Sequence, residues 1–229
     1  MDLLWLCKIK KYDKSGFNLL HCPLCAENSL RKYHQDKQRS YLQCGTCGIV
    51  SVPAKYHLSP ADEKAQYDKH RNTAEDLGYR MFLSRTFEPL VARIKFGSLG
   101  LDFGCGPGPV ISRMAKEQGI MVSNYDLYYF NLPELLERRY DFVTMTEVIE
   151  HVADPQSLLM QLDSILKQAG ILAIMTKRVI DQRAFSHWHY KNDPTHICFY
   201  SLKTFEWIGR KLSWRLEIID KDVVFFYKE

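Results

Sequence analysis

Two Cys-x-x-Cys pairs, Cys22-Pro23-Leu24-Cys25 and Cys44-Gly45-Thr46-Cys47, stand 18 residues apart in the first quarter of this 229-residue chain. Four thiolates at that spacing converge on one tetrahedral ion, and the ion then dictates how the chain between the pairs must turn. The seven cysteines are an odd number, and Met1 to Lys10 is too short and too lysine-rich for a secretory signal. A metal in a cytoplasmic protein is therefore expected, not a disulfide framework. No apolar run approaches the roughly 20 residues of a membrane span.

Zinc closed by four cysteines keeps no open position for chemistry, so its expected task is to fold a segment too small to bury a core of its own. An iron site of rubredoxin type has similar spacing and is the alternative metal. Arg39 to Gln43 alternates polar and apolar residues ahead of the second pair, and Ile49 to Val52 follows it, so each pair is expected at the turn of a short hairpin. This is a zinc-ribbon layout, assigned to residues 1–55. His21 beside Cys22 reads as a solvated neighbour and not as a fifth ligand. Residues 1–60 carry nine Lys/Arg against four Asp/Glu, while the whole chain is only +4. Arg31, Lys32, Lys37 and Arg39, with Tyr33 and Tyr41, form either an RNA-facing patch or simply the ribbon's solvated face. Residues 56–76 are polar and without a strong period, which suits a linker or a lead-in helix.

From residue 77 onward the pattern changes. A helical stretch, Leu77 to Lys95, precedes an apolar strand, Leu99 to Phe103, which runs into Gly104-Cys105-Gly106-Pro107-Gly108 and a helix, Val110 to Glu117. Gly-x-Gly-x-Gly is not the Gly-x-Gly-x-x-Gly of dinucleotide sites, but a tight glycine turn still lets a flat ligand approach the backbone. Asp126 closes the next apolar segment, Ile120 to Tyr125, where a carboxylate can accept from both hydroxyls of a ribose. Together these point to a nucleoside. Further strands are expected at 142–146, 170–175, 214–219 and 223–227, with helices at 155–168 and 202–210. Alternation of this kind implies an α/β fold with a mainly parallel sheet and a ligand at the strands' carboxyl ends.

Leu101-Asp102-Phe103-Gly104-Cys105-Gly106-Pro107-Gly108 and Tyr140-Asp141-Phe142-Val143-Thr144-Met145-Thr146-Glu147-Val148-Ile149-Glu150-His151-Val152-Ala153-Asp154-Pro155 resemble the first and fourth-strand motifs of class I S-adenosylmethionine-dependent methyltransferases with a type-11 or type-23 domain. The resemblance covers about residues 77–229 and implies a Rossmann-like fold. It implies that Asp102 and the loop Gly104, Cys105, Gly106 and Gly108 hold the methionine end of S-adenosylmethionine, that Asp126 takes the ribose, and that Thr146 and Glu147 border the donor. Only 14 residues separate Asp126 from Asp141. The family's third strand and its adenine-contacting acid have no room there, so a shortened third-strand region is expected, with adenine against Leu127 and Tyr128.

Methyl transfer needs alignment and, for an oxygen acceptor, removal of a proton. Glu147, Glu150 and His151, if they open a helix, share one face at i, i+3, i+4. Either His151 is the general base, oriented by a carboxylate, or the three ligate a divalent ion. The Glu-x-x-Glu-His run resembles that of ubiquinone-pathway O-methyltransferases, which bind a metal with it. A purely structural part for Glu147 and His151 is the third alternative. His187 to His196 is a second cluster, an aromatic loop suited to a flat acceptor. In the resembled family this loop covers the acceptor, which makes His196 the second candidate base. Tyr67 and Tyr79 either close over the donor or pack on helices. The expected partner is a small-molecule acceptor, methylated on oxygen before carbon or nitrogen. RNA methylation through the basic ribbon, and a non-catalytic adaptor, are the competing functions.

Overall fold

The structure is a computed structural model that describes residues 21–69 and 73–229. Met1 to Lys10 and Cys7 lie outside these residues, as does any strand ahead of Cys22 that would make the first pair a hairpin turn.

Two sheets form. The larger holds β4 (Leu99–Phe103), β5 (Met121–Tyr125), β6 (Tyr140–Thr146), β7 (Leu166–Met175), β9 (Trp214–Ile218) and β10 (Val223–Lys228), in the order β5-β4-β6-β7-β10-β9. Its first four strands are parallel, β10 runs antiparallel to β7, and β9 pairs antiparallel with β10. Residues 127–139 supply no strand beyond β5. They make a turn and a 3-10 segment, Pro133–Glu137, so β5 is the sheet edge and the third-strand region is short, as the spacing predicts.

Helix α2 (Leu77–Val91) starts at Asp76, whose Oδ1 accepts the Tyr79 N–H at 3.0 Å, and buries Leu83, Thr86, Phe87 and Leu90 at helical spacing. Helix α3 (Val110–Glu117) buries Val110, Ile111, Met114 and Ala115 against the same face of the sheet. On the opposite face lie α4 (Pro155–Ile165) and α5 (Leu202–Leu212), both capped by side chains, Asp154 and Ser201. The α4 helix is shorter than its periodicity suggests. Leu166, fully buried, pairs with Tyr140 as the first residue of β7, and Ala169, at φ 59°, absorbs the resulting register shift.

The smaller sheet is antiparallel: β1 (Leu30–Gln35), β2 (Ser40–Cys44), β3 (Val50–Ser51) and β8 (Cys198–Phe199). The second cysteine pair occupies the turn from β2 to β3, as expected. The fourth strand comes from the carboxy-terminal part, with Val50 opposite Phe199 and Ser51 opposite Cys198. Buried Tyr33, Tyr41, Val50 and Val52 share a cluster with Phe185, Tyr190, Ile197 and Phe199. The ribbon is thus packed into the larger domain.

Candidate functional site

The carboxyl ends of β4, β5 and β6 meet at one edge. Gly104 and Gly106 adopt φ of 75° and 66°, values that an L side chain rarely accepts. The Gly104 and Cys105 N–H groups both donate to the Tyr125 carbonyl, at 2.7 and 3.2 Å, which folds the loop back over β5. A Cβ on Gly104 would stand 2.5 Å from a Val148 methyl, whereas one on Gly106 would meet nothing within 4 Å. The loop is therefore closed against Val148 on one side and open on the other, a cradle with free space beside its backbone at Gly106.

Asp126 locks that loop to the next turn. Its Oδ2 accepts from Gly106 N–H at 3.0 Å, and its Oδ1 from Tyr128 and Tyr129 N–H at 2.8 and 3.1 Å. A carboxylate has about four lone-pair sites, so hydroxyl donors still have room. Asp102 is buried, with Oδ1 accepting from the Thr144 hydroxyl at 2.8 Å. Burial lifts its pKa to about 7 against that hydrogen bond, and the charge of Asp126 adds to the rise. Leu127 and Tyr128 follow Asp126 directly, Leu127 being 37% exposed, and Thr146 ends β6 half-buried.

After β6 the chain departs from the expected helix face. The Glu147 N–H still bonds the Met175 carbonyl at 2.8 Å, as a continuation of the sheet, while its φ of 54° throws the chain sideways. Only one 3-10 turn follows, Ile149–His151. Glu147 falls outside the converging group, which is Glu150, His151 and His196, with one potential ligand atom from each all within 4.8 Å of one another. The imidazoles of His151 and His196 lie 4.7 Å apart.

Their surroundings select a donor set. His151 Nδ1 donates to the Thr195 carbonyl at 3.2 Å and His196 Nδ1 to the Tyr190 carbonyl at 2.7 Å. A carbonyl only accepts, so in the neutral rings the hydrogen sits on Nδ1 and the lone pair on Nε2. Glu150 is fully buried; its Oε1 accepts from the Tyr190 hydroxyl, and its Oε2 has no hydrogen-bond partner among the described residues. Two imidazole lone pairs and an orphaned carboxylate oxygen suit a divalent cation. Burial pushes Glu150 up to about 7, and burial plus the neighbouring Glu150 pushes Glu147 up to about 8. Burial, with His151 beside it, lowers His196 to about 4.

Above this cluster lies α1 (Pro60–Tyr67), from the segment read as linker or lead-in helix. Glu63 accepts from the Tyr67 hydroxyl at 2.9 Å and from the Tyr128 hydroxyl at 2.6 Å, and the Tyr67 ring sets its edge on His151 at 5.4 Å. Tyr67 thus covers the edge of the site. Tyr79 instead stacks with Phe82 on α2, the helix-packing alternative.

The four ribbon cysteines also converge. Cys22 and Cys47 sulfurs lie 3.5 Å apart, as do those of Cys25 and Cys44, close to the about 3.8 Å edge of a tetrahedron with ~2.3 Å metal–sulfur bonds. The hydrogen bond that Cys22 and Cys47 share holds the Cys22 thiol down at about 5 and drives that of Cys47 far up. Four packed thiols of this kind fit a structural metal.

Two residues stand in places that their sequence reading does not give them. Tyr190, from the aromatic loop cluster, bridges the carboxylates, donating to Glu150 and lying 3.2 Å from Glu147 Oε2. Arg39 fits neither version of the basic patch: it is 5% exposed, and Tyr33 and Tyr41 are buried with it. His187 and His189 are exposed and Phe199 is core, as the residue types suggest. His21 is exposed, its Nδ1 donating to the Ala26 carbonyl. Among the described residues no helix is long and apolar enough to cross a membrane.

Known proteins share this architecture. The family described as "Methyltransferase domain" matches residues 71–217. Ubiquinone biosynthesis O-methyltransferase of Histophilus somni is 30% identical over 96 residues, 39% of this chain and 37% of that protein. The protein of the same name from Photorhabdus laumondii is 37% identical over 71 residues, 31% of this chain and 30% of its own length. The chain thus spans about a third of the length of the curated relatives it matches. Among solved structures, Burkholderia thailandensis 1,6-didemethyltoxoflavin-N1-methyltransferase, with S-adenosylhomocysteine bound, aligns with a TM-score of 0.52 at 15% identity, over 86% of this chain and 99% of that one. An O-methyltransferase family protein of the same organism aligns at 0.51 and 11% identity, over 73% and 62%. These structural likenesses are of fold.

Proposed function

Because this chain belongs to the methyltransferase-domain family, we propose that it moves a methyl group from S-adenosylmethionine to an oxygen of a small-molecule acceptor. The observation that carries the reading is the placement of the Glu150, His151 and His196 cluster beside the glycine cradle, both at the carboxyl edge of the parallel strands. When bound, S-adenosylmethionine supplies an electrophilic methyl group on a sulfonium. Asp102, Gly104, Cys105, Gly106 and Gly108 are assigned to its methionine end, Asp126 to the ribose, Leu127 and Tyr128 to adenine, and Thr146 with Glu147 to the border facing the acceptor. Tyr67 on α1 excludes water from that border.

His196 is better suited to ligation than to proton abstraction. A pKa of about 4 keeps it neutral near pH 7 but makes it a weak base there. We therefore assign Glu150, His151 and His196 as ligands of a divalent cation, which would lower the pKa of an acceptor hydroxyl. Glu147 and Tyr190 complete a hydrogen-bonded shell that orients Glu150. Cys22, Cys25, Cys44 and Cys47 are assigned to a structural zinc, and the free thiols suit the cytoplasm. On this reading residues 1–55 and 77–229 divide the chemistry: thiolates in one, transfer in the other.

Manganese(II) titrated into the zinc-loaded chain and followed by electron paramagnetic resonance tests the cation assignment. One tight site is expected, weakened more by loss of the ligand in His196→Ala than by the roughly 10–100-fold that loss of an outer-shell partner costs in Glu147→Gln. Equal losses in both variants, or no binding to wild type, would remove the cation. Labelled-methyl transfer to a panel of catechols and phenolic acids addresses the acceptor. Transfer to RNA and to none of the panel would favour the RNA reading, and no transfer to either would favour the adaptor.

A further inference from the structure

The loop that carries His196 is organised from the ribbon. Arg39, in the turn between β1 and β2, sends its Nη1 to the Pro194 carbonyl at 3.2 Å and its Nη2 to the Asp193 carbonyl at 2.7 Å and to the Lys191 carbonyl, while Nε donates to the Tyr41 hydroxyl at 3.0 Å. The carbonyls on either side of that group are the ones the histidines use: Tyr190 for His196 and Thr195 for His151. One buried guanidinium therefore gathers three carbonyls of the loop, and two others, one at each end of that run, fix the two imidazoles. Asp36 anchors the arrangement from below, accepting from Gln38 and Arg39 N–H at 2.9 Å each, from Tyr41 at 2.9 Å and from the buried Lys191 ammonium at 3.0 Å. On the loop side, the Asp193 carboxylate accepts from Thr195 N–H at 2.8 Å, and the His196 N–H returns to the Asp193 carbonyl at 3.2 Å.

A planar five-donor fork is the side chain suited to such a task, because lysine concentrates its donors on one atom and cannot span three carbonyls. A solvated surface arginine would have no need of them. We infer that Arg39 is a positioning residue through which the cysteine ribbon sets the 189–196 loop, so that the ribbon braces the site and is not a surface that captures substrate. The inference rests on the proposed role of His151 and His196 only for its consequence; the brace itself is a statement about the loop.

The test uses the full-length, zinc-loaded chain as wild type, Arg39→Leu and Arg39→Lys. Hydrogen–deuterium exchange over residues 190–197 reads the brace directly. At least tenfold faster exchange in Arg39→Leu is expected, with Arg39→Lys intermediate and the β4 and β6 amides unchanged in both. Manganese(II) affinity should fall at least tenfold in Arg39→Leu, while S-adenosylhomocysteine affinity stays within twofold of wild type. Loop exchange equal to wild type in a variant that still binds S-adenosylhomocysteine would overturn the inference. So would loss of protection in β4 and β6 together with the loop in both variants, since Arg39 would then serve general stability. If wild type itself binds no manganese, the cation assignment falls, and the exchange result still decides the brace.

Discussion

Gly104→Ala is a substitution whose cost can be worked from two separate features of the structure. The residue sits at φ 75°, where an L side chain costs roughly 1–2 kcal/mol. The new Cβ would also stand 2.5 and 2.8 Å from the two methyls of Val148, an overlap that places the change among overpacked sites costing about 1–3 kcal/mol. The sum is about 2–5 kcal/mol. Val148→Ala removes both methyls, so it relieves most of the overlap, leaving the Val148 Cβ at 3.2 Å and the backbone penalty. In the double variant the cost of adding the methyl should therefore shrink to about 1–2 kcal/mol, a coupling of about 1–3 kcal/mol between neighbours. Urea unfolding of the four proteins of this cycle measures both quantities, provided the slope m is unchanged. A single-variant cost below about 1 kcal/mol, or a coupling of zero, would refute the packing of the loop after β6 over the glycine turn.

Asp126→Ala should weaken cofactor affinity by about 1.5–3 kcal/mol, the range for hydrogen bonds to a charged group, and calorimetry reads it; undiminished affinity would put the ribose elsewhere. Asp102→Asn isolates one titration. Its folded pKa of about 7 lies above the ordinary carboxyl value, so the folded state keeps a proton that the unfolded chain has released. Wild type therefore loses stability relative to Asp102→Asn as pH rises from about 4 to 7, by up to about 1.4 kcal/mol per pH unit. A pH-independent difference in urea midpoints would contradict this. His151→Ala should leave S-adenosylhomocysteine affinity within about twofold while weakening manganese by more than the roughly 10–100-fold that an outer-shell partner is worth; loss of both would place His151 at the donor.

The large sheet was legible in the sequence because its signals are local. Leu99 to Phe103 reads as a strand from its own residues, Val110 to Glu117 as a helix from its own period, and both match the structure. The missing third strand was legible from the 14 residues between Asp126 and Asp141 alone. The candidate site was legible only in part. Its residues Glu150, His151 and His196 were visible, but their grouping depends on the left-handed turn at Glu147, which nothing in the local residue pattern announces. Arg39 and Tyr41 reach partners some 150 residues away, a distance that no periodicity encodes. For the same reason a charged ribbon residue looked solvated when it is buried.

The central claim is that the cradle at Gly104, Gly106 and Asp126 takes the methyl donor. Titration of the zinc-loaded chain with S-adenosylhomocysteine in a calorimeter tests it most directly. Saturable one-to-one binding, weakened in Asp126→Ala and preserved in His196→Ala, is the expected result. No heat of binding to the folded wild-type protein would contradict the account.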